Sequence, residues 1–397
     1  MASMVVMGMG VTGRAVATAL LRRNIDVVAL DDRMSEELAA WSKETGITVA
    51  APQAVDLSQI LETSDGLLPA PGLPHHHPIF AAAATHNVDV LSEFDLAACW
   101  DSRPVVAVTG TDGKTTVVTL AHRMLEASGL KAMPVGNTDT PWVEAIEDQS
   151  IDIFVVEASS FRLGHSQRFS PQVATWLNFG PDHLDAHDGL EAYEFAKASI
   201  WASLESGAVA LANRDDDVVS RHAAAIAAFA PGAIVQTFGS DAPPTSVDHG
   251  IVDGSLVVGG EELLTVSELS RSLPHDLLNG LAATASTLPV GASRQAAADV
   301  LRGFDGLEHR VEHIATIGGV SYVNDSKATT PHAAAAALGG FDSIVLIAGG
   351  KNKGLAFDDM LDHVNQRRDV DGRCRESGQL DQCRRRRCTA ITGVRVI

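Results

Sequence analysis

Basic charge is what this sequence is shortest of. It carries 30 Lys and Arg against 50 Asp and Glu, a formal net charge of −20 over 397 residues. A nucleic-acid binder shows basic stripes along its phosphate contacts, so that class is argued against. Small phosphate ligands are not excluded, because local loops and helix N-termini hold them irrespective of net charge. Cysteine is nearly as scarce. The four, Cys99, Cys374, Cys383 and Cys388, do not make a disulfide framework, since three of them bunch near the end. Those three lack a closely paired spacing and a nearby fourth ligand, which argues against zinc. No apolar run is long enough to cross a membrane. The first residues lack the basic start of a signal peptide and pass straight into a strand pattern. A cytoplasmic monomer without nucleic-acid or membrane partners is expected.

What is present is an ordinary globular composition, 45% apolar and 20% charged, on a chain long enough for two or three domains. Strand-like apolar runs alternate with helical patterns, which predicts an α/β fold with a mainly parallel sheet. A first unit over 1–95 opens with a strand at 4–7, the turn Gly8-Met9-Gly10-Val11-Thr12-Gly13, a helix at 14–23 and a strand at 26–30. Asp31-Asp32-Arg33 then completes a dinucleotide-type fingerprint, G-x-G-x-x-G with an acidic residue about twenty positions on. A helix at 35–45 and a Pro/Gly/His loop at 69–78 follow. A second unit over 96–302 predicts a helix at 117–125, strands at 151–157, 173–178 and 208–212, a helix at 190–204, and short β segments over 231–272. A third unit over 303–365 begins with strands at 320–324 and 343–349 around a helix at 331–338. Residues 366–397 hold nine arginines and almost no apolar periodicity. They are expected to be an aberrant basic tail, either a disordered appendage or a frame change that replaces the rest of the third domain.

The most informative stretch is Val105-Val106-Ala107-Val108-Thr109-Gly110-Thr111-Asp112-Gly113-Lys114-Thr115-Thr116. A buried strand, a glycine-rich turn and a following helix make a cradle for nucleotide phosphates. Backbone N–H groups face the anion, Lys114 bridges the β- and γ-phosphates, and Thr115 reaches Mg²⁺. Val108 stands where the general pattern has its first glycine, which leaves the form Thr-Gly-Thr-x-Gly-Lys-Thr. A chance glycine turn is the alternative, and the flanking strand and helix argue against it. Alone, the Gly8–Gly13 fingerprint would suggest an NAD-dependent dehydrogenase. Beside a phosphate loop it implies two nucleotide or phosphate ligands, and favours an ATP-driven enzyme with a nucleotide-bearing substrate. Glu157 ends a strand, where sheet folds place ligand contacts, and suits Mg²⁺ directly or through water. His183, in Asp182-His183-Leu184-Asp185, is either a loop hydrogen-bonder or a ligand. Lys197 sits mid-helix against Tyr193, Ile200 and Trp201. It is either a snorkelling lysine or a partly buried one with a lowered pKa, whose neutral amine can take up CO₂ and become a carboxylate-like metal ligand. The turns at 323–331 and 349–354 join strands to helices and suit substrate binding.

As a set, the Thr109–Thr116 loop, Glu157-Ala158-Ser159-Ser160-Phe161, Asp182-His183-Leu184-Asp185, Lys197 and Gly306-Leu307-Glu308-His309-Arg310 resemble the Mur ligase family, ATP-dependent amide-forming enzymes of peptidoglycan synthesis. The similarity covers about residues 4–365 and is nearest the branch that adds D-glutamate, through the fingerprint turn, Ala70-Pro71-Gly72 and Asn324-Asp325-Ser326-Lys327-Ala328-Thr329. The resemblance implies a three-domain architecture: a Rossmann-like N-terminal domain, a central P-loop ATPase-type domain on a parallel sheet, and a Rossmann-like C-terminal domain that is incomplete here. It implies ATP, Mg²⁺ at two sites, and UDP-N-acetylmuramoyl-L-alanine and D-glutamate as substrates, joined through an acyl phosphate. By the same resemblance, Val11, Thr12, Asp31, Asp32 and Arg33 would contact the uridine end of the substrate, and Ala70, Pro71 and Gly72 its diphosphate. Gly110, Thr111, Asp112, Gly113, Lys114, Thr115, Thr116, Asn279, Arg310 and Asp325 would hold ATP. Thr115 and Glu157 would organise one Mg²⁺ with Lys114 beside it; His183 and a carbamylated Lys197 would hold a second. Asn137, Ser159 and His183 would line the acyl channel, and Lys327, Thr329 and Lys353 would sit near the incoming D-glutamate. Lys114, Glu157, His183 and Lys197 would form the catalytic group.

The sequence departs from the family at three points before the tail. Arg162 stands where Gln is usual, Asn137-Thr138-Asp139 where Asn-Ile-Gly is usual, and Asp276 where Asn is common. Two further readings stay open: a non-catalytic nucleotide-binding remnant of the same fold, and a related amide ligase of the folylpolyglutamate synthase type. The Gly8–Gly13 unit argues against the second, whose chain begins near its phosphate loop.

Overall fold

The computed structural model of the chain describes residues 3–138, 140–183, 186–341 and 344–349. Asp139, Leu184, Asp185, Lys353, most of the 349–354 turn and the 366–397 tail lie outside the described residues.

The first sheet contains β1 (Ser3–Met7), β2 (Asp26–Leu30), β3 (Val49–Ala50) and β4 (Gly66–Pro69), all parallel, in the order β3-β2-β1-β4. The fingerprint glycines set the entry to α1 (Val11–Arg22). Gly8 has φ +90°, and a Cβ on Gly13 would strike the Gly8 carbonyl oxygen, so the turn folds onto the helix only with glycine at both places. The helix therefore begins earlier than expected, with Gly13 inside its first turn.

The central sheet has nine strands: β5 (Val105–Thr109), β6 (Ala132–Gly136), β7 (Ile153–Glu157), β8 (Val173–Trp176), β9 (Val209–Asn213), β10 (Ile234–Phe238), β11 (His249–Val252), β12 (Ser255–Val258) and β13 (Glu261–Thr265). Its order is β13-β12-β11-β10-β9-β8-β5-β7-β6, parallel from β6 to β11 and antiparallel through β12 and β13. β5, β7, β8 and β9 are buried along their whole length, which is why they read as continuous apolar runs rather than alternating ones. Helix α2 (Lys114–Ala127) starts at the phosphate-loop lysine, three residues before the apolar pattern suggested. The helix expected over 190–204 stops sooner. α3 (Leu190–Ala198) passes into the 3-10 turn Ser199–Trp201, which lets the Trp201 indole N–H donate to the Ala174 carbonyl at 2.9 Å. Lys197 thus lies in the last helical turn, not mid-helix.

Helix α2 and helix α4 (Pro274–Thr287) cover one face of this sheet, packing Leu120, Met124 and Leu281 against Val106, Val108, Val155 and Leu211. On the other face Phe154, Val156 and Trp176 pack with Trp142, Val143 and Trp201, and this core continues into Val6, Val16 and Leu20 of the first sheet and α1. The helix Glu93–Trp100, absent from the sequence expectation, helps to join them. Ser92 and Asp95 form its capping box, and Phe94 meets Trp142 and Phe169 at ring distances of 6.1 and 5.0 Å.

The last part holds an antiparallel hairpin, β14 (Glu312–Ile317) and β15 (Val320–Asn324), and α5 (Pro331–Leu338) at its expected bounds. Within the strand expected over 343–349, the described residues Ile344 and Ile347 each make a single bridge pairing. Ala334, Leu338, Leu346 and Ala348 make a small core of their own. Among the described residues no helix is long and apolar enough to cross a membrane.

Candidate active site

The site forms where β5 gives way to α2. Gly113 sits at φ +84°, and a Cβ there would lie 2.7 Å from Asn279 Oδ1 on α4, so backbone conformation and close approach both require glycine. Asn178, just past β8, braces the loop with one side chain. Its Oδ1 accepts from the Asp112 N–H at 2.9 Å and its Nδ2 donates to the Asp112 carbonyl at 3.1 Å. Thr111 Oγ1 donates to the Gly180 carbonyl at 3.1 Å and accepts from the Gly180 N–H at 3.0 Å. These contacts hold the loop open as a cradle.

Two lysines converge on one oxygen. Lys114 Nζ donates to the Gly110 and Thr111 carbonyls at 2.7 and 2.8 Å, and Lys197 Nζ donates to the same Gly110 carbonyl at 2.7 Å. Lys197 is 2% exposed and lies 4.6 Å from the Tyr193 ring centroid. Burial, then the like charge of Lys114, hold its pKa well below the usual lysine range. Burial also lowers that of Lys114, against the pull of Glu157 and Asp112. Lys197 is therefore a buried amine, not a snorkelling one.

Glu157 closes β7, is 3% exposed, and accepts from Asn137 Nδ2 at 3.0 Å. Thr116 is buried at the first turn of α2. Ser159 is buried, and among the described residues its hydroxyl has no hydrogen-bond partner. His183 has φ +53°, lies 3.3 Å from Asp182 Oδ2 through Nε2, and stands edge-on to Phe161 at 5.0 Å.

The third unit reaches this loop from the other side. Arg310 Nη2 donates to Thr115 Oγ1 at 3.1 Å, and His332 Nδ1 lies 2.7 Å from Asp112 Oδ2. A cleft between the two parts is lined by Asp112, Gly113, Asn279, Arg310, Asp325 and Lys327. Asp325 accepts from the Val311 N–H at 3.1 Å; burial pushes its pKa up to about 6, against that bond and the Arg310 guanidinium. Arg271 pairs with Asp276 at 3.1 Å and donates to the Arg310 and Val311 carbonyls, which fixes the Arg310 backbone. Thr329 is exposed on the same segment.

The first unit contributes a second set of loops. The Ala70–Gly72 turn follows β4; Ala70 donates its N–H to Met7 O at 2.7 Å and abuts Gly8. Asp31 accepts from the Met9 and Arg33 N–H groups at 2.6 and 2.8 Å, and Asp32 pairs with His77 at 3.2 Å. Val11 is 62% exposed. Thr12 Oγ1 accepts from Arg162 Nη2 at 3.0 Å, and Arg162 Nε meets the buried Glu93 carboxylate at 3.2 Å. Burial raises the Glu93 pKa against the attraction of Arg162.

The structure thus gathers Lys114, Lys197, Asp112, Thr115, Asn279, Arg310 and Asp325 about one loop. It places Val11, Thr12, Asp31, Asp32, Arg33 and Ala70–Gly72 around the ends of β1, β2 and β4. Sequence reasoning missed Asn178, Arg271 and His332. Asn178 ended an expected strand opposite the phosphate loop, which was a usable signal; the other two had none.

Comparison with known proteins bears on this arrangement. Residues 2–92 match the family described as Mur ligase MurD-like, N-terminal domain, and residues 108–270 match the Mur ligase middle domain. The chain is 37% identical over 367 residues to the UDP-N-acetylmuramoylalanine--D-glutamate ligase of Thermobifida fusca (strain YX), covering 88% of this chain and 77% of that one. It is 40% identical over 369 residues to the protein of the same name from Frankia casuarinae, covering 90% and 75%. In fold it is similar to MurF from Acinetobacter baumannii, with TM-score 0.53 at 18% identity over 88% of this chain and 71% of that one. A fingerprint loop and a phosphate loop on adjoining parallel sheets, matched in sequence across most of the chain, place it: the chain belongs to the Mur ligase family.

Proposed function

We propose that this chain is an ATP-dependent ligase that joins D-glutamate to UDP-N-acetylmuramoyl-L-alanine in peptidoglycan precursor synthesis. The observation that carries this reading is identity of 37% and 40%, across about nine-tenths of the chain, to ligases named for that reaction. The site's chemistry supports it. A free carboxylate is a poor acylating agent, and ATP converts it into an acyl phosphate that the amine of D-glutamate can attack, with phosphate leaving through a tetrahedral intermediate. Charge develops on the transferred phosphoryl group, so the residues needed there are fixed cations and backbone donors. Lys114 would exchange its two carbonyl acceptors for phosphate oxygens, and Arg310 would give the hydroxyl of Thr115 up to the nucleotide. Gly110, Thr111, Gly113 and Thr116 would offer backbone N–H groups, and Asn279 and Asp325 would hold the nucleoside end.

Thr115 and Glu157 are hard oxygen donors beside Lys114, a set that fits Mg²⁺. Bound there, Mg²⁺ would act as a Lewis acid toward the phosphate oxygens. As an ammonium donating to Gly110, Lys197 cannot ligate a metal. As a carbamate it could, with His183, and its burial favours the neutral amine that reacts with CO₂. Val11, Thr12, Asp31, Asp32 and Arg33 would receive the uridine end, and Ala70, Pro71 and Gly72 the diphosphate. Asn137 and Ser159 would line the path of the acyl group, with Lys327 and Thr329 near the amine.

The test is release of ADP and phosphate by the full chain, which should require both UDP-N-acetylmuramoyl-L-alanine and D-glutamate. Release that ignores D-glutamate, or none with both substrates present, would refute the reading.

A further inference from the structure

The proposed reaction gives His332 no part, yet it makes one of two side-chain contacts described between the third unit and the phosphate loop. Its Nδ1 lies 2.7 Å from Asp112 Oδ2. Its ring packs on Gly180, where a Cβ would come within 3.0 and 3.1 Å of His332 Cγ and Cδ2. Both ends of the contact are held. The backbone of Asp112 is pinned by Asn178, so its carboxylate is the part that reaches across. The first turn of α5 is fixed by Thr330, whose Oγ1 accepts from the Ala333 N–H at 3.1 Å. The other contact, Arg310 to Thr115, uses a hydroxyl that the nucleotide site needs for itself. The His332–Asp112 contact uses no group that must turn toward the phosphates.

We propose that His332 is a positioning residue: through Asp112 it holds the third unit closed over the phosphate loop and thereby sets nucleotide affinity. The proposal rests on the nucleotide-site reading above. A ligand in the cleft touches Asp112, Gly113 and Asn279 on one wall and Arg310 and Asp325 on the other. Its apparent affinity scales with the fraction of molecules in which the walls are together. A contact between the walls that leaves the phosphate seats untouched raises that fraction.

The experiment is calorimetric titration of the full chain with AMP-PNP and Mg²⁺. His332→Ala should weaken binding about 5- to 10-fold, the worth of one charge-assisted hydrogen bond. His332→Asn, whose amide can take the place of Nδ1, should bind within about twofold of the wild type. Asp112→Ala and His332→Ala combined should lose less than the product of the single losses. The melting temperature without nucleotide should stay unchanged in His332→Ala, which separates positioning from folding. Unchanged affinity in His332→Ala, a loss that His332→Asn fails to restore, or multiplicative losses in the double variant would overturn the proposal and leave the nucleotide site standing. A wild-type chain that binds no nucleotide would overturn both.

Discussion

Asp325→Asn should make the protein more stable at neutral pH while weakening its hold on nucleotide. Asp325 is 6% exposed, and burial pushes its pKa from 3.8 to about 6. The folded chain therefore binds this proton more tightly than the unfolded chain does. Stability is fully present below about pH 4 and is lost as pH rises to about 6, after which it is flat. The loss spans about two pH units, which sets a ceiling of about 3 kcal/mol. That shift is already net of the Val311 N–H and the Arg310 guanidinium, and solvent at the cleft screens it, so a realised change of about 1–3 kcal/mol is expected. Asparagine keeps an oxygen for the Val311 N–H and carries no charge. The measurement is urea unfolding of wild type and variant from pH 4 to pH 7.5, followed by circular dichroism. Their stability difference should grow with pH and level off above pH 6. A difference that is flat across this range would refute the claim that burial of the ionised carboxylate costs stability. A gain in stability paired with a loss of affinity is the pattern of a group kept for binding at the fold's expense.

Other outcomes follow from the same site. Gly113→Ala should cost about 1–2 kcal/mol from its left-handed backbone alone, and its contact with Asn279 should reduce nucleotide affinity at least about tenfold by calorimetry. Arg162→Ala leaves the buried Glu93 carboxylate unpaired and should cost about 3–5 kcal/mol in denaturant unfolding, whereas Arg162→Ala with Glu93→Gln should recover much of that loss. Lys197→Met removes a buried amine whose charged form is disfavoured, so its melting temperature should match or exceed that of wild type while ligase turnover falls about 100-fold or more. Intact-mass measurement under CO₂ should show one carbamate on wild type and none on that variant.

The fold was legible where one signal dominated. Continuous apolar runs located β5, β7, β8 and β9, because strands buried on both faces leave no polar alternation to obscure them. The phosphate loop and fingerprint were legible because backbone geometry dictates their glycines. Glu93–Trp100 was not, since its acidic first turn is buried by partners distant in sequence, Arg162 and the Gln167 N–H among them. The break in α3 was invisible for a related reason: it depends on where its neighbour, the Ala174 carbonyl of β8, sits. Lys197 was half legible. Its spacing from Tyr193 marked apolar surroundings, but its acceptor, the Gly110 carbonyl, is 87 residues away. His332 reaches Asp112 across the cleft and Arg271 reaches the Arg310 and Val311 carbonyls, and local pattern carries no trace of either contact.

The unbroken core between the first and central sheets has a consequence for how the molecule comes apart. Domain boundaries drawn from sequence separate three units, but cooperative units follow shared apolar contacts. Val16, Leu20, Phe94, Trp142 and Phe154 belong to one cluster, so the first two units should open as a single block. Helix α5 and the residues around it, Ala328, Leu346 and Ala348, keep their own small cluster, and the hairpin strands are largely exposed. Hydrogen exchange should then find one slow, coherent set of amides across both large sheets and a faster set beyond residue 311. The seam along which the protein yields would be the one beside the nucleotide, and ligand would act there as the fastening.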